Sequence, residues 1–212
     1  MRNIAIILLS LIVLAAPALA ETVTFRANGT VEWNMVNSGP LADVSYGDGI
    51  ALTFTVDSDD FLDSATYNTR GYVINQDSFV MTLGEVEMHL QNPFPEGQTP
   101  YFVLRNGDPV ADGFLISNNT DWPASLPSDI PAGIDPYFGV AFEVGYEGDT
   151  LNSLNILDAI GAYAYDGLTN FYFNVVDGPI EVIGVDFWGF SLETEGVAVE
   201  SHSLTDVKSL FQ

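Results

Sequence analysis

Ile50, Leu52, Phe54 and Val56 alternate with Ala51, Thr53 and Thr55, the period-two pattern of a strand with one buried face. Related patterning recurs along the chain. Residues 22–36 read as a long first strand or a close pair, with Val23 and Phe25, then Val31 and Trp33, alternating around Asn28-Gly29. Further strands are predicted over 71–75, 78–83, 85–90, 100–105, 114–117 and 137–146, with a weak one over 196–201. Clusters of Gly, Pro, Asn and Asp separate most of them.

The best-patterned stretch is 158–193. Residues 168–176 and 180–192 are rich in aromatic and β-branched side chains, which suit a pleated, half-buried surface. Asp177-Gly178-Pro179 between them is a turn signal, so the pattern predicts a β-hairpin. In its first arm Phe171, Phe173 and Val175 share the core face, with Tyr172, Asn174 and Val176 opposite. In its second arm Ile183, Val185 and Phe187 share a face, but Trp188, Phe190 and Leu192 occupy the opposite phase. A bulge at Gly184 or Gly189 would let the apolar series change phase without leaving the core.

Helical spacing is rare. Leu151, Leu154, Leu157 and Ile160 fall at steps of three within 149–163, which predicts one short internal helix. A second short helix is predicted over 203–211. Residues 118–136 hold four prolines and read as a long link covering an end or edge of the sheets. About ten short strands broken by turn clusters predict an all-β fold, a two-sheet antiparallel β-sandwich of jelly-roll type. The predicted organisation is a signal peptide at 1–20, the sandwich at 21–193 and a tail with a short helix at 194–212.

The signal peptide rests on Arg2, the apolar run 4–16 and the cleavage motif Ala18-Leu19-Ala20. It predicts an exported, extracellular protein starting at Glu21. No later stretch has the ~20 continuous apolar residues of a membrane helix, so no membrane span is expected. Cysteine is absent, which removes disulfides and thiolate chemistry. Beyond residue 20 the basic side chains are Arg26, Arg70, Arg105 and Lys208, against 29 acids, and the whole chain carries a formal charge of −24. Such a surface repels phosphate backbones, so nucleic acid is excluded as a partner.

The opening TVTFRANGTVEW, the strand at 50–56 after Gly47-Asp48, the acidic Asp-Ser-Asp segment and the blocks at 161–168 and 176–180 form a recognisable set. Together they resemble a loose group of exported bacterial proteins that commonly carry the PEP-CTERM sorting signal. The resemblance implies a β-sandwich extracellular protein and transfers no functional residue. No Pro-Glu-Pro, terminal apolar helix or basic end follows Glu193, so a released protein is expected.

Candidate chemistry is sparse. Asp57, Asp59, Asp60 and Asp63 place four carboxylates within seven residues, a candidate calcium site because calcium takes six to eight oxygen ligands. Glu85 and Glu87 share one strand face, as a retaining glycosidase pair could, but Val86, Met88 and Leu90 make that face the solvated one. His89 and His202 are the only histidines, too few for a multi-histidine zinc site. Among the aromatics, Trp122 in the proline-rich link is the candidate ligand-binding residue, able to stack on a sugar or to cap the core. The expectation is a secreted, non-enzymatic protein. Its alternatives are a carbohydrate-binding or adhesive module, with polysaccharide or extracellular matrix as partner, and a glycan-active hydrolase.

Overall fold

In the computed structural model, residues 20–107 and 111–194 are described. The expected signal peptide, the strand at 196–201 and the helix at 203–211 lie outside the described residues, apart from Ala20. Twelve strands follow in order: β1 (Thr22–Asn34), β2 (Gly49–Asp63), β3 (Thr69–Ile74), β4 (Val80–Leu83), β5 (Val86–His89) and β6 (Tyr101–Arg105). Then come β7 (Ala111–Ser117), β8 (Leu126–Pro131), β9 (Tyr137–Glu147), β10 (Gly161–Ala164), β11 (Leu168–Asp177) and β12 (Ile180–Thr194).

Eight of these strands pair in the order β1-β12-β11-β9-β7-β6-β3-β2, and β2 pairs back onto β1. The result is a closed antiparallel barrel, which corrects the expected two-sheet, jelly-roll-like sandwich. The overturning feature is β1, which is hydrogen-bonded along both edges. Phe25, for example, lies opposite Leu192 of β12 and Phe54 of β2. Closure leaves the ring with no open edge. Four outer strands extend it: β4 and then β5 continue from the first half of β2, β8 pairs with β9, and β10 with the end of β12. A single bridge, Leu90 to Ser128, joins β5 to β8.

Inward positions carry Phe25, Phe54, Phe102, Phe114, Phe142, Phe173, Phe187 and Phe190, all buried. Phe25 stacks on Phe54 with ring centroids 4.5 Å apart and meets Phe102, Phe142 and Phe190 at 5.2, 5.1 and 5.4 Å. An eight-stranded barrel has an interior just wide enough for side chains to fill, and here phenylalanines fill it. Outward positions of β1 are Thr24, Arg26, Asn28 and Thr30, a polarity opposite to that of a lipid-facing barrel. Among the described residues no helix is long and apolar enough to cross a membrane.

The hairpin forms as expected. Asp177 pairs with Ile180, and Gly178 in the turn has φ of 59°, which glycine tolerates without Cβ strain. The anticipated bulge in β12 falls beside Gly189, between Phe187 and Gly189, while the register slip beside Gly184 comes from an extra residue in β1, Glu32. Ile183, Val185, Phe187, Phe190 and Leu192 are consequently all buried. The faces of the first arm hold, but two exposures differ from expectation. Phe171 is 37% exposed, while Asn174 is only 9% exposed and not on a wet face. The residues after β7 lie across this outer surface, held by Thr69 Oγ1 donating to the Thr120 carbonyl at 2.6 Å. Outward-pointing Val103, Leu115, Ala141 and Val176 are buried with Asn174.

The internal helix expected over 149–163 is absent. In its place are a 3-10 turn, Ile156–Ala159, and β10. Tertiary bonds claim the backbone there. The Tyr72 hydroxyl donates to the Leu154 carbonyl at 2.6 Å and accepts the Ile156 N–H at 2.9 Å, while the Asp112 carboxylate accepts the Leu151 N–H. Asn152, Ser153, Asn155 and Gly161 resist helix weakly, and these bonds decide the outcome. The 118–136 segment is also more ordered than a link, since it contains β8. Pro127 and Pro131 are accommodated because β8 is paired on β9 along one edge only, apart from the single bridge.

Asp177 ties the hairpin turn to the 133–135 loop. Its carboxylate accepts N–H bonds from Gly133 at 3.1 Å, Ile134 at 2.8 Å and Asp135 at 2.9 Å. Burial opposes ionisation, but these three donors together outweigh it and hold the carboxyl below its ordinary pKa. A depressed folded pKa stabilises above the unfolded value of about 3.9 and is lost as pH falls through the folded value. Asp177→Asn is therefore expected to cost about 1–3 kcal/mol near neutral pH. In thermal melts the gap to wild type should hold from pH 7 to 5 and shrink below about pH 4. A gap that widens in acid would show that the carboxylate charge is not what matters.

Candidate functional site

The barrel interior is packed, and a broad concavity lies on its outer wall. Strand register sets Ala164, Gly189, Asn28, Ala51 and Thr82 side by side across β10, β12, β1, β2 and β4. Small side chains at successive positions leave a trough of about 800 Å³, lined also by Ala162, Tyr163, Trp188 and Ser191. Volumes of ~300–1,000 Å³ are typical of ligand sites.

Trp188 reaches this trough because of the bulge. Phe187 faces Gly29 and Gly189 faces Asn28, so Trp188 is the extra residue in β12 and turns outward. It is 49% exposed. The expected inward placement of Trp188 with Phe190 and Leu192 is thus corrected. Two adjacent aromatics in a strand cannot both face inward unless the bulge falls between them, and it falls after Trp188.

Tyr163 borders the trough with its backbone and turns its ring to the core, stacked on Phe190 with centroids 4.7 Å apart and planes 9° apart, and 4.8 Å from Phe114. Its hydroxyl donates to the Ala159 carbonyl at 2.7 Å, and burial pushes its pKa up to about 12, so it stays neutral. Polar groups at the trough are the Asn28 amide and the Thr82 and Ser191 hydroxyls. The Ser191 hydroxyl donates to Glu193 at 2.9 Å. Among the described residues, no charged side chain lines the trough.

The residues singled out from sequence lie elsewhere. Asp57, Asp59, Asp60 and Asp63 sit on the end of β2, which continues as strand where a loop was expected. Asp57 accepts the Asp59 N–H at 2.8 Å, and Asp63 forms a two-point ion pair with Arg70 at 2.5 and 3.0 Å. The hydrogen bond from Arg70 holds the Asp63 carboxyl below its ordinary pKa. The guanidinium also lies 3.9 Å from the Phe61 ring centroid. Among the described residues no three acidic or histidine side chains gather as a metal-binding group.

Glu87 is exposed beside buried Met88 on outer strand β5, and Glu85 is exposed in the turn before it. His89 Nδ1 lies 3.2 Å from the Phe79 carbonyl, to which only an N–H can bond, and Nε2 is 3.9 Å from Glu87. Trp122 is 56% exposed and meets Tyr67 edge-on at 4.6 Å. It lies outside the trough. Asn28, Ala51 and Thr82 carry no chemical signature in sequence, and only strand register assembles them. No family model, curated protein or solved structure matches this chain.

Proposed function

We propose that this chain is an exported, non-catalytic binding protein whose outer trough holds a neutral polysaccharide. The observation that carries the reading is the bulge that turns Trp188 outward beside a floor of small residues. An indole face in a trough that also holds one amide and two hydroxyls suits sugar rings, whose C–H faces are apolar and whose rims are polar. The trough is open along the wall, which suits a chain more than a compact ligand. The lining residues carry no carboxylate of their own and Glu193 stands beside Ser191, whereas glycoside hydrolysis ordinarily needs two. A net charge of −24 repels anionic glycans and leaves neutral ones. The tripartite N-terminus built on Arg2 and Ala18-Leu19-Ala20 favours action outside the cell.

The test is retention on insoluble cellulose, chitin, mannan and starch, with any released sugar assayed alongside. Wild type should bind at least one without releasing sugar. Trp188→Ala should weaken that binding about 10- to 100-fold, as removal of a central aromatic anchor does. Its melting temperature should change little, because the side chain is half in solvent. Unchanged binding by Trp188→Ala would remove the trough as the site.

A further inference from the structure

The structure assigns a second, separate binding platform to the Trp122–Tyr67 pair, and its place in the barrel makes the molecule a two-sided bridge between neutral polysaccharide chains. A large exposed aromatic ordinarily has freedom to turn inward. Here the backbone around Trp122 is held by several bonds at once. The Ser117 hydroxyl, fully buried, donates to the Trp122 carbonyl at 2.6 Å. Asn119 Oδ1 accepts the N–H of both Asp121 and Trp122 at 2.8 Å, and its Nδ2 donates to Ser117 Oγ at 2.9 Å. Thr69 clamps the intervening Thr120 carbonyl. The indole is thus presented on a fixed support at 56% exposure.

Tyr67 stands edge-on to the ring at 4.6 Å, with its own N–H bonded to Ser64 Oγ at 3.0 Å. Asn68, next to Tyr67, donates to the Asn106 carbonyl at 2.5 Å, and Asp121, next to Trp122, accepts the Thr120 hydroxyl at 3.2 Å. A fixed aromatic ledge with polar neighbours has the chemistry of a pyranose-stacking site, on a protein whose charge disfavours anions.

Location adds the second half of the inference. The Trp122 loop is tied to Thr69 of β3 and Ser117 of β7, the two strands that flank β6. Round the eight-strand ring β6 stands four places from β12, which carries Trp188. The two tryptophans therefore occupy opposite walls and cannot serve one sugar chain segment together. Bridging rests on the trough reading proposed above, whereas the Trp122 platform does not.

The experiment compares wild type, Trp122→Ala, Trp122→Phe, Trp188→Ala and the double alanine variant. Retention on insoluble cellulose, chitin, mannan and starch is measured with the clumping of fine particles of each. Wild type should clump the particles it binds. Trp122→Ala should keep its fold, bind about 10-fold more weakly and lose clumping, while Trp122→Phe keeps most of both. The double variant should not bind. Binding and clumping by Trp122→Ala equal to wild type would overturn the platform and leave the trough standing. A loss confined to Trp122→Ala, with Trp188→Ala normal, would keep the platform and overturn both trough and bridging. Wild type retained on none of the four polysaccharides would overturn all of it.

Discussion

Phe25→Ala is expected to lower the stability of the barrel by about 3–5 kcal/mol, the range for removing a fully buried phenylalanine. The ring is 1% exposed and contacts Phe54 of β2, Phe102 of β6, Phe142 of β9 and Phe190 of β12. One truncation therefore opens a cavity against four strands of the ring. Edge-to-face and stacked pairs add about 0.5–1.5 kcal/mol each beyond burial, and these are lost with it. Against a typical total of ~5–15 kcal/mol, the variant should be marginal at 37 °C. Thr24→Ala, one residue away on the outer wall, should cost under about 1 kcal/mol. Urea melts of the two variants decide the matter. Equal losses would mean that inward and outward faces of β1 are misassigned.

Gly29→Ala should cost about 1–3 kcal/mol, while Gly49→Ala should be close to neutral. Both glycines lie at the β1–β2 ladder, where Gly29 is opposite Ile50 and Gly49 opposite Thr30. Their surroundings differ. A Cβ on Gly29 would run into the carbonyl oxygen of Asp186 and the side chain of Val185, whereas one on Gly49 meets nothing within 4 Å. Asp186 lies two residues before Trp188, next to the bulge that turns it outward. Relieving the overlap requires β12 to move, so loss of binding should accompany loss of stability in Gly29→Ala alone. If Gly49→Ala proves the more damaging in melts, the close approach at Gly29 is not what holds the bulge.

The alternation of apolar and polar residues determined most of the local structure. Successive side chains on a strand point to opposite faces, so 50–56 and the two arms at 168–176 and 180–192 reveal their inner faces directly. Asp177-Gly178-Pro179 locates the turn by conformation, and the out-of-phase run from Phe187 to Leu192 reveals the bulge by its misfit. Closure is another matter. A sandwich and a barrel share the same inward and outward pattern. They differ in which backbone N–H and C=O groups pair, and every non-proline residue carries those alike. Nothing in the side chains of 22–34 marks that β1 takes β12 on one edge and β2, from much earlier in the chain, on the other.

Long-range contacts also decided the exceptions. The three-residue spacing of Leu151, Leu154 and Leu157 favours a helix, yet Tyr72 and Asp112 hold that backbone in a non-helical path. Asn174 alternates with core residues and so reads as wet, but tertiary packing leaves it only 9% exposed. Trp122 could be named from sequence as an aromatic among prolines, and its exposure depends on the Ser117 and Asn119 bonds that support it. The trough was the least legible feature. Asn28, Ala51, Thr82 and Gly189 become neighbours only through the registers of β12, β1, β2 and β4. Side-chain period tells each strand which way to face, and only tertiary pairing tells it what to stand beside.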